Sequence, residues 1–150
     1  MAGIFQRLFK TGQAEAHAIV DKLEDPIKLS EQAVRDLKKD LQESIKALAE
    51  VKAVSIRLSR ESEDHRRRAV DYERKAMLLV QKAQGGQMEE AEADRLAREA
   101  LTRVSESQTR HSESAGQAQA QQETANKLQV NVNELKSKIT SYENDLVTLK

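Results

Sequence analysis

Hydrophobic and small residues recur at alternating intervals of three and four positions from Pro26 to about Gln84, and again after Gln87. This spacing is typical of a coiled-coil seam, in which one apolar stripe of a helix faces a partner helix. The pattern predicts two long helical arms. The predicted seam of the first arm comprises Val34, Leu37, Leu41, Ile45, Leu48, Val51, Ser55, Leu58, Ser62, His65, Ala69, Tyr72, Ala76, Leu79 and Ala83. That of the second comprises Ala97, Leu101, Val104, Gln108, His111, Ala115, Ala118, Gln122, Ala125, Leu128, Val132, Leu135, Ile139, Tyr142, Leu146 and Leu149.

A pair of glycines separates the two arms. Gly85 and Gly86 are the strongest turn signal after Pro26, which is the single proline of the chain. A turn at 84–87 would let the second arm (88–150) return along the first (26–84). The sequence therefore predicts an all-α fold, in which residues 25–150 form a long antiparallel two-helix coiled-coil hairpin.

Residues 1–24 are predicted to form a separate domain, an N-terminal amphipathic helix. Its apolar side chains occupy one half of the helical wheel and its polar side chains the other, except that Glu15 intrudes on the apolar half. Both phenylalanines of the chain lie within its first nine residues. The residues predicted to bind a membrane are Ile4, Phe5, Arg7, Leu8, Phe9, Lys10, Ile19 and Val20.

Such a helix suits the interface between lipid tails and headgroups. Burying a large apolar side chain is worth about 1.5 to 3 kcal/mol, and a basic residue near an anionic surface contributes about 1 kcal/mol. Insertion of Phe5 and Phe9 should therefore dominate binding, with Arg7 and Lys10 favouring anionic phospholipid. In the alternative interpretation, the same stripe packs against the chain's own hairpin or a neighbouring subunit.

The junction between the two predicted domains is Leu23-Glu24-Asp25-Pro26. Proline is tolerated in the first turn of a helix, and it pushes the preceding residue out of helical geometry. Asp25 is therefore predicted to be an N-cap and Pro26 the first residue of the next helix. Together they are expected to act as a hinge.

The predicted seam is uneven along its length. Between Ser55 and His65, and between Ser105 and Gln122 on the other arm, it consists mostly of Ser, Gln, His and Ala. A hairpin with such a thin core is expected to bend in its middle and to bury further surface between subunits. Folding about the turn is expected to bring His65 close to His111.

Composition and charge narrow the function classes. The chain is 33% charged and 3% aromatic, contains no cysteine, and carries 25 basic and 25 acidic residues. Charge balance argues against a nucleic-acid partner, and the lack of cysteine excludes disulfides and thiolate metal sites. No stretch approaches the roughly 20 apolar residues of a membrane span, and no signal peptide is evident, so we expect a cytoplasmic protein.

Charge is distributed unequally between the arms. Residues 52–82 contain nine basic and five acidic side chains, whereas residues 87–123 contain eight acidic and four basic ones. These opposed stripes could pair within one hairpin or between staggered copies, although each exposed pair is worth only about 0 to 1 kcal/mol. Many such contacts would favour a salt-sensitive homo-oligomer or polymer. The run at 66–68 is better explained as a solvated helical face than as a phosphate site.

A search for catalytic chemistry is negative. The chain lacks phosphate-binding and dinucleotide-binding glycine loops, zinc-protease motifs and nucleophile elbows. Its three histidines, His17, His65 and His111, are scattered along the sequence, which favours polar seam layers over a metal site. The protein is therefore not expected to be an enzyme or to hold a cofactor.

The opening Gly3-Ile4-Phe5-Gln6-Arg7, the amphipathic helix, the Leu23-to-Pro26 junction and the long hairpin together resemble the phage shock protein A family. This family includes the plastid vesicle-inducing proteins and belongs to the ESCRT-III-like superfamily. The resemblance implies a peripheral protein on the cytoplasmic face of the inner membrane. It further implies self-assembly into a scaffold that remodels, stabilises or repairs the bilayer under envelope stress.

The sequence departs from the usual layout of that family at both ends. Ala2 stands between Met1 and Gly3, and the chain stops at Lys150 in mid-heptad, where family members normally continue into further helices. We therefore expect either a fragment or a short member. Some members also bind and inhibit a bacterial AAA+ transcription activator through the hairpin, so such an activator is an alternative partner.

Overall fold

The computed structural model describes residues 26–149, and the regular structure in this part of the chain is entirely helical. Helix α1 spans Pro26–Gln84, and helix α2 spans Glu90–Leu149. The predicted all-α hairpin is confirmed for these residues. The predicted N-terminal amphipathic helix at 1–24 and the proposed cap Asp25 lie outside the described residues.

The connection between the helices extends from Gly85 to Glu89, so the second arm starts later than the predicted residue 88. The backbone N–H of Ala93 donates to the carbonyl oxygen of Glu89 at 2.9 Å, which makes Glu89 the cap of α2. Acidic side chains in the first turn, Glu90 and Glu92, complement the positive end of the helix dipole.

The seam of α1 follows an unbroken heptad pattern. From Val34 to Ala83, buried or half-buried side chains alternate at intervals of three and four, as the sequence predicts, with one exception. Ile45 is 42% exposed and Ser44 takes the seam position. The heptad phase continues from Leu41 to Leu48 by a step of three residues and then one of four. Position 44 therefore faces α2, although Ile45 is the larger and more apolar residue.

The seam of α2 also keeps one heptad phase, but five predicted seam residues are wrong. Leu101, Gln108, Ala115 and Gln122 are exposed, and the residue before each of them faces the partner helix. The observed seam from the start of α2 to its middle comprises Ala93, Ala97, Ala100, Val104, Ser107, His111, Ser114, Ala118, Gln121 and Ala125. Leu149, at the end of α2, is also exposed.

The described residues belong to two compact units. The first, called the terminal unit here, contains residues 26–48 and 126–149. Its core is aliphatic, and Lys38 on α1 forms an ion pair with Glu143 on α2 at 2.7 Å. The buried residues of this core are Val34, Leu37, Leu135, Ile139 and Leu146, with Ile27, Leu41 and Tyr142 packed against them.

The second unit, called the turn unit, spans Ala49–Ala125 and has a core of smaller side chains. Ala76, Ala97 and Ala100 form one buried cluster, against which Leu79 packs. The four buried polar residues among the described residues, Ser55, Ser62, Ser107 and Ser114, all lie in this unit. Small seam residues allow two helix backbones to approach closely, so backbone carbonyl oxygens come within reach of serine hydroxyls.

Candidate functional site

The predicted membrane-binding residues, Ile4 to Val20, lie outside the described residues. The same holds for Asp25 of the predicted hinge, whereas its neighbour Pro26 is the first residue of α1. The candidate functional surface within the described residues is therefore that of the hairpin.

The predicted turn glycines Gly85 and Gly86 close α1 in a Schellman motif. The N–H of Gly86 donates to the carbonyl oxygen of Ala83 at 3.2 Å, and the N–H of Gln87 donates to that of Lys82 at 2.9 Å. Gly86 has a φ of 72°, which only glycine adopts at little cost. The turn glycines thus terminate α1 and direct the chain into α2.

Polar seam layers of the turn unit contain hydrogen bonds between the helices. Ser55 Oγ donates to the carbonyl oxygen of Ala118 at 3.2 Å, and Ser62 Oγ donates to that of His111 at 3.3 Å. The two serines are seven residues apart, and so are their partners, so the same contact repeats after one heptad. These bonds satisfy hydroxyl groups that would otherwise be buried without partners.

The geometry around His111 determines which ring nitrogen carries its proton. Nδ1 lies 2.9 Å from the carbonyl oxygen of Ser62 and 2.8 Å from Ser62 Oγ. Because a carbonyl oxygen can only accept, Nδ1 must be protonated and donate to it. The sequence-based expectation placed His65 close to His111; the side chain that is hydrogen-bonded to His111 is Ser62, one turn before His65 on α1.

An apolar groove runs beside the seam in the turn unit. It is lined by Met77 and Val80 of α1 and Leu101 of α2, with Ala76 and Ala97 at its base. Glu73 and Gln81 complete its lining. Met77 is 59% exposed, Val80 47% and Leu101 51%, so the groove presents three large apolar side chains to solvent.

Sequence reasoning did not identify this groove. Met77 and Val80 each follow a seam residue by one position, and Leu101 was itself placed in the seam instead of Ala100. The signal in the sequence was that, near the turn, there are more apolar residues than seam positions. A second apolar row beside a heptad seam indicates that the helix pair has another face to cover.

Ion pairs in the turn unit join residues of the same helix. Arg66 and Arg67 of α1 both contact Glu63, and Arg98 of α2 contacts Asp94 at 3.1 Å. The further pairs are Arg57 with Glu61 and Arg95 with Glu99. The basic surplus of α1 and the acidic surplus of α2 are therefore not paired with each other inside this unit.

Glu63 has a perturbed pKa. The guanidinium of Arg66 donates to both of its carboxylate oxygens, with Nε at 3.0 Å from Oε2. This hydrogen bond is the main cause that holds the pKa of Glu63 below its ordinary value; the positive charges of Arg66 and Arg67 act in the same direction, and desolvation opposes them. The same bond raises the pKa of Arg66. Both side chains remain charged at neutral pH.

Exposed charges of the turn unit form rows at heptad spacing. Arg60, Arg67 and Arg74 are seven residues apart on α1, so they share one helical face. Four glutamates, at 92, 99, 106 and 113, repeat in the same way on α2. Rows of equal pitch and opposite sign can be matched by a second hairpin lying alongside the first.

Other kinds of site are not found within residues 26–149. Among them, no three His, Cys, Asp or Glu side chains are grouped so that they could hold a metal ion. Neither of the two described helices has a segment sufficiently long and apolar to cross a bilayer.

Comparisons with known proteins cover nearly the whole sequence. The model of the PspA/IM30 family matches residues 3–150. The phage shock protein A homolog of Deinococcus radiodurans is 30% identical over 140 residues, which are 93% of this chain and 59% of that protein.

Two further relatives are named as membrane-associated proteins. Vipp1 of Synechocystis is 32% identical over 142 residues, 92% of this chain and 48% of its own length. Chloroplastic VIPP1 of rice is 29% identical over 149 residues, 99% of this chain and 44% of its own length. The chain thus spans about half the length of the curated relatives it matches.

Proposed function

The chain belongs to the PspA/IM30 family, and on that premise we propose that it is a peripheral membrane protein that self-assembles into a scaffold. Its proposed role is to remodel, stabilise or repair the inner membrane under envelope stress. The observation that carries this proposal is the family match, which starts at residue 3 and so includes the predicted amphipathic helix. The names of the Vipp1 relatives support membrane association.

In the proposed mechanism, the first helix is the membrane-binding element. Phe5 and Phe9 enter the acyl boundary, and Arg7 and Lys10 lie near anionic headgroups on the cytoplasmic face of the membrane. Asp25 and Pro26 form the hinge that lets this helix lie in the membrane plane while the hairpin takes another direction.

The hairpin supplies the proposed assembly surface. Unpaired surpluses of opposite charge on α1 and α2 leave contacts available to other copies. A homo-oligomer or polymer multiplies the number of inserted helices. Weak individual binding can then become strong by multivalency.

Liposome co-sedimentation at physiological salt tests the membrane assignment. We compare the parent chain with Phe5→Asp/Phe9→Asp on vesicles of anionic phospholipid and on neutral vesicles. The matched control is Gln6→Asp/Gln13→Asp, which makes the same charge change on the polar half of the helix. We expect the phenylalanine variant to lose most binding to anionic vesicles and the control to retain most of it.

Equal sedimentation of the parent and the phenylalanine variant would contradict the assignment of the first helix. If both proteins bind equally, the lipid-binding element lies in the hairpin; if neither binds, a protein partner, such as an AAA+ activator, is favoured over a lipid surface.

A further inference from the structure

Large exposed apolar side chains of α1 form a row along one side of the turn unit. Ile56, Val70 and Met77 each follow a seam residue by one position, so they share one helical face. Their exposed fractions are 53%, 39% and 59%. The apolar groove lies at the turn end of this row, where Val80 and Leu101 join its lining. The apolar surface of the hairpin therefore continues along α1 beyond the groove.

A row of arginines runs beside the apolar row. Arg60 lies one helical turn after Ile56, and Arg74 lies one turn after Val70, so each arginine is a surface neighbour of an apolar side chain. Neither arginine forms an ion pair within residues 26–149. The methylene groups of such a side chain can cover apolar surface while its guanidinium reaches an anion.

Positive charge dominates this side of α1. It carries five of the nine basic side chains of residues 52–82, but only two of the five acidic ones, Glu63 and Glu73. Glu63 already contacts Arg66 and Arg67 of its own helix. We call this side of the turn unit the arginine face. Its large apolar and basic residues are Ile56, Val70, Met77, Val80, Leu101, Lys52, Arg60, Arg66, Arg67 and Arg74.

The α2 part of the arginine face adds almost no net charge. Like Leu101, its residues follow the seam by one position, and Asp94 and Arg98 near the turn pair with each other. The glutamates at 92, 99, 106 and 113 each precede a seam residue, which places them on the opposite flank. The other residues of α2 on the arginine face are the uncharged Ser105, Gln108, Ser112, Ala115, Gln119 and Gln122.

We propose that the arginine face is a second lipid-contacting surface, which lies on a bilayer of anionic phospholipid. This inference rests on the proposed membrane function and adds a contact in the hairpin to that of the first helix. Helices that lie in a membrane interface combine large apolar side chains with arginine and lysine beside anionic headgroups. The arginine face presents both features side by side.

A bilayer fits this face better than a second copy of the chain does. The glutamate row of another α2 could meet the arginines, but its neighbouring positions are Thr102, Thr109, Arg103 and Arg110. These side chains would leave the apolar row uncovered and bring arginines towards arginines. A nucleic acid would likewise pair with the arginines alone. A bilayer offers anionic headgroups and an apolar interior together, so it satisfies both rows.

Tryptophan reporters test the contact with lipid, since the natural chain has no tryptophan. Met77→Trp places an indole on the arginine face. Leu78→Trp is the matched control, because Leu78 is 50% exposed and precedes a seam residue, which places it on the opposite flank. The vesicles contain phosphatidylglycerol and brominated phosphatidylcholine. We expect the emission of Met77→Trp to shift to shorter wavelength and to be quenched, whereas that of Leu78→Trp keeps its wavelength and intensity.

Equal quenching of the two reporters would overturn the proposal. A protein surface on the arginine face, from a second copy or from the first helix, would give a different signature. The emission of Met77→Trp would then lie at short wavelength before vesicles are added, and brominated lipid would not quench it. That result would also overturn the proposal.

Two charge variants test the role of the arginines in vesicle co-sedimentation. We expect Arg60→Gln/Arg74→Gln to weaken binding to anionic vesicles about tenfold, because both guanidinium groups lie beside the headgroups. Arg68→Gln/Arg103→Gln removes the same charge from the opposite flank, where both residues precede seam residues. At physiological salt, charges more than about 8 Å apart are screened, so the control should weaken binding less than about threefold. Equal weakening would show that only net charge matters, and the assignment of the face would fail.

The variant Phe5→Asp/Phe9→Asp separates this face from the first helix. If the parent chain sediments with anionic vesicles but Met77→Trp is not quenched, the arginine face is wrong and the membrane function stands. If Met77→Trp is quenched while Phe5→Asp/Phe9→Asp binds as well as the parent, the face stands and the assignment of the first helix fails. A chain that binds no anionic vesicles would contradict both.

Discussion

At the scale of single residues, Gly86 shows the most direct link between backbone geometry and fold. Its φ of 72° is costly for any residue with a Cβ, although no atom would obstruct that Cβ. We expect Gly86→Ala to lower the free energy of unfolding by about 1 kcal/mol, measured by urea denaturation. Gly85→Ala is the control, because its Cβ would meet Gln81 O at an ordinary 3.5 Å. Equal losses would show that left-handed geometry is not the cause.

Ser62 links the two helices of the turn unit through its side chain. Replacing it with alanine removes the bond to the carbonyl oxygen of His111 and the contact with Nδ1. We expect Ser62→Ala to cost about 1 kcal/mol of unfolding free energy, a typical net value for one hydrogen bond. Ser59→Ala, one turn earlier and exposed, should change stability by less than about 0.5 kcal/mol. A similar loss for both variants would contradict a specific role for the bond.

The depressed pKa of Glu63 predicts a pH dependence. Because the folded state favours the ionised carboxylate, this group stabilises the fold above the unfolded pKa. That contribution disappears as the pH falls through the lower, folded pKa. Arg66→Gln should raise the pKa of Glu63 towards its ordinary value, as followed by NMR titration of the glutamate side chain. An unchanged titration curve would show that Arg66 is not the cause.

At the scale of elements, the sequence predicts the seam of α1 almost completely and that of α2 only in part. Large apolar residues mark the phase clearly where they are abundant, as at Val132 and Ile139. Between Ala97 and Ala125 large apolar residues are scarce, and the pattern alone does not distinguish neighbouring candidates such as Ala100 and Leu101. In the structure, the heptad repeat continues without a break, whatever the size of the side chains. The reason is that a helix presents a single stripe, at one heptad phase, to its partner helix.

Adjacent residues in this region allow the phase to be tested. Ser114 is buried in the seam, whereas Ala115 lies outside it. We expect Ser114→Leu to overpack the interface and lower the free energy of unfolding by about 1 to 3 kcal/mol. Ala115→Leu, the same substitution one position later, should be tolerated within about 0.5 kcal/mol. The reverse order in urea denaturation would restore the phase predicted from the sequence.

At the scale of the whole molecule, the sequence predicts some of the parts proposed to act in function better than others. The hairpin and its turn follow from local signals, namely heptads and a glycine pair. The groove at Met77 could not be identified from the sequence, because its exposed apolar residues lie beside the seam and not in it. The membrane-binding residues from Ile4 to Val20 stay a prediction, since their apolar face fits a bilayer or a protein surface equally well.

The unequal distribution of charge between α1 and α2 allows a test of how whole chains assemble. Glu106→Lys/Glu113→Lys removes acidic side chains from α2, where neither forms an ion pair within the hairpin. If α1 of one copy contacts α2 of another, this variant should self-associate several-fold more weakly in sedimentation and depend less on salt.

Glu43→Lys/Glu50→Lys makes the same change in net charge but adds it to α1. Because α1 would then attract the acidic α2 of another copy more strongly, association should be maintained or increase. A general effect of net charge would weaken both variants equally, since both raise the charge of a neutral chain by the same amount. Only pairing between unlike helices predicts opposite responses, so the comparison separates specific assembly from non-specific repulsion.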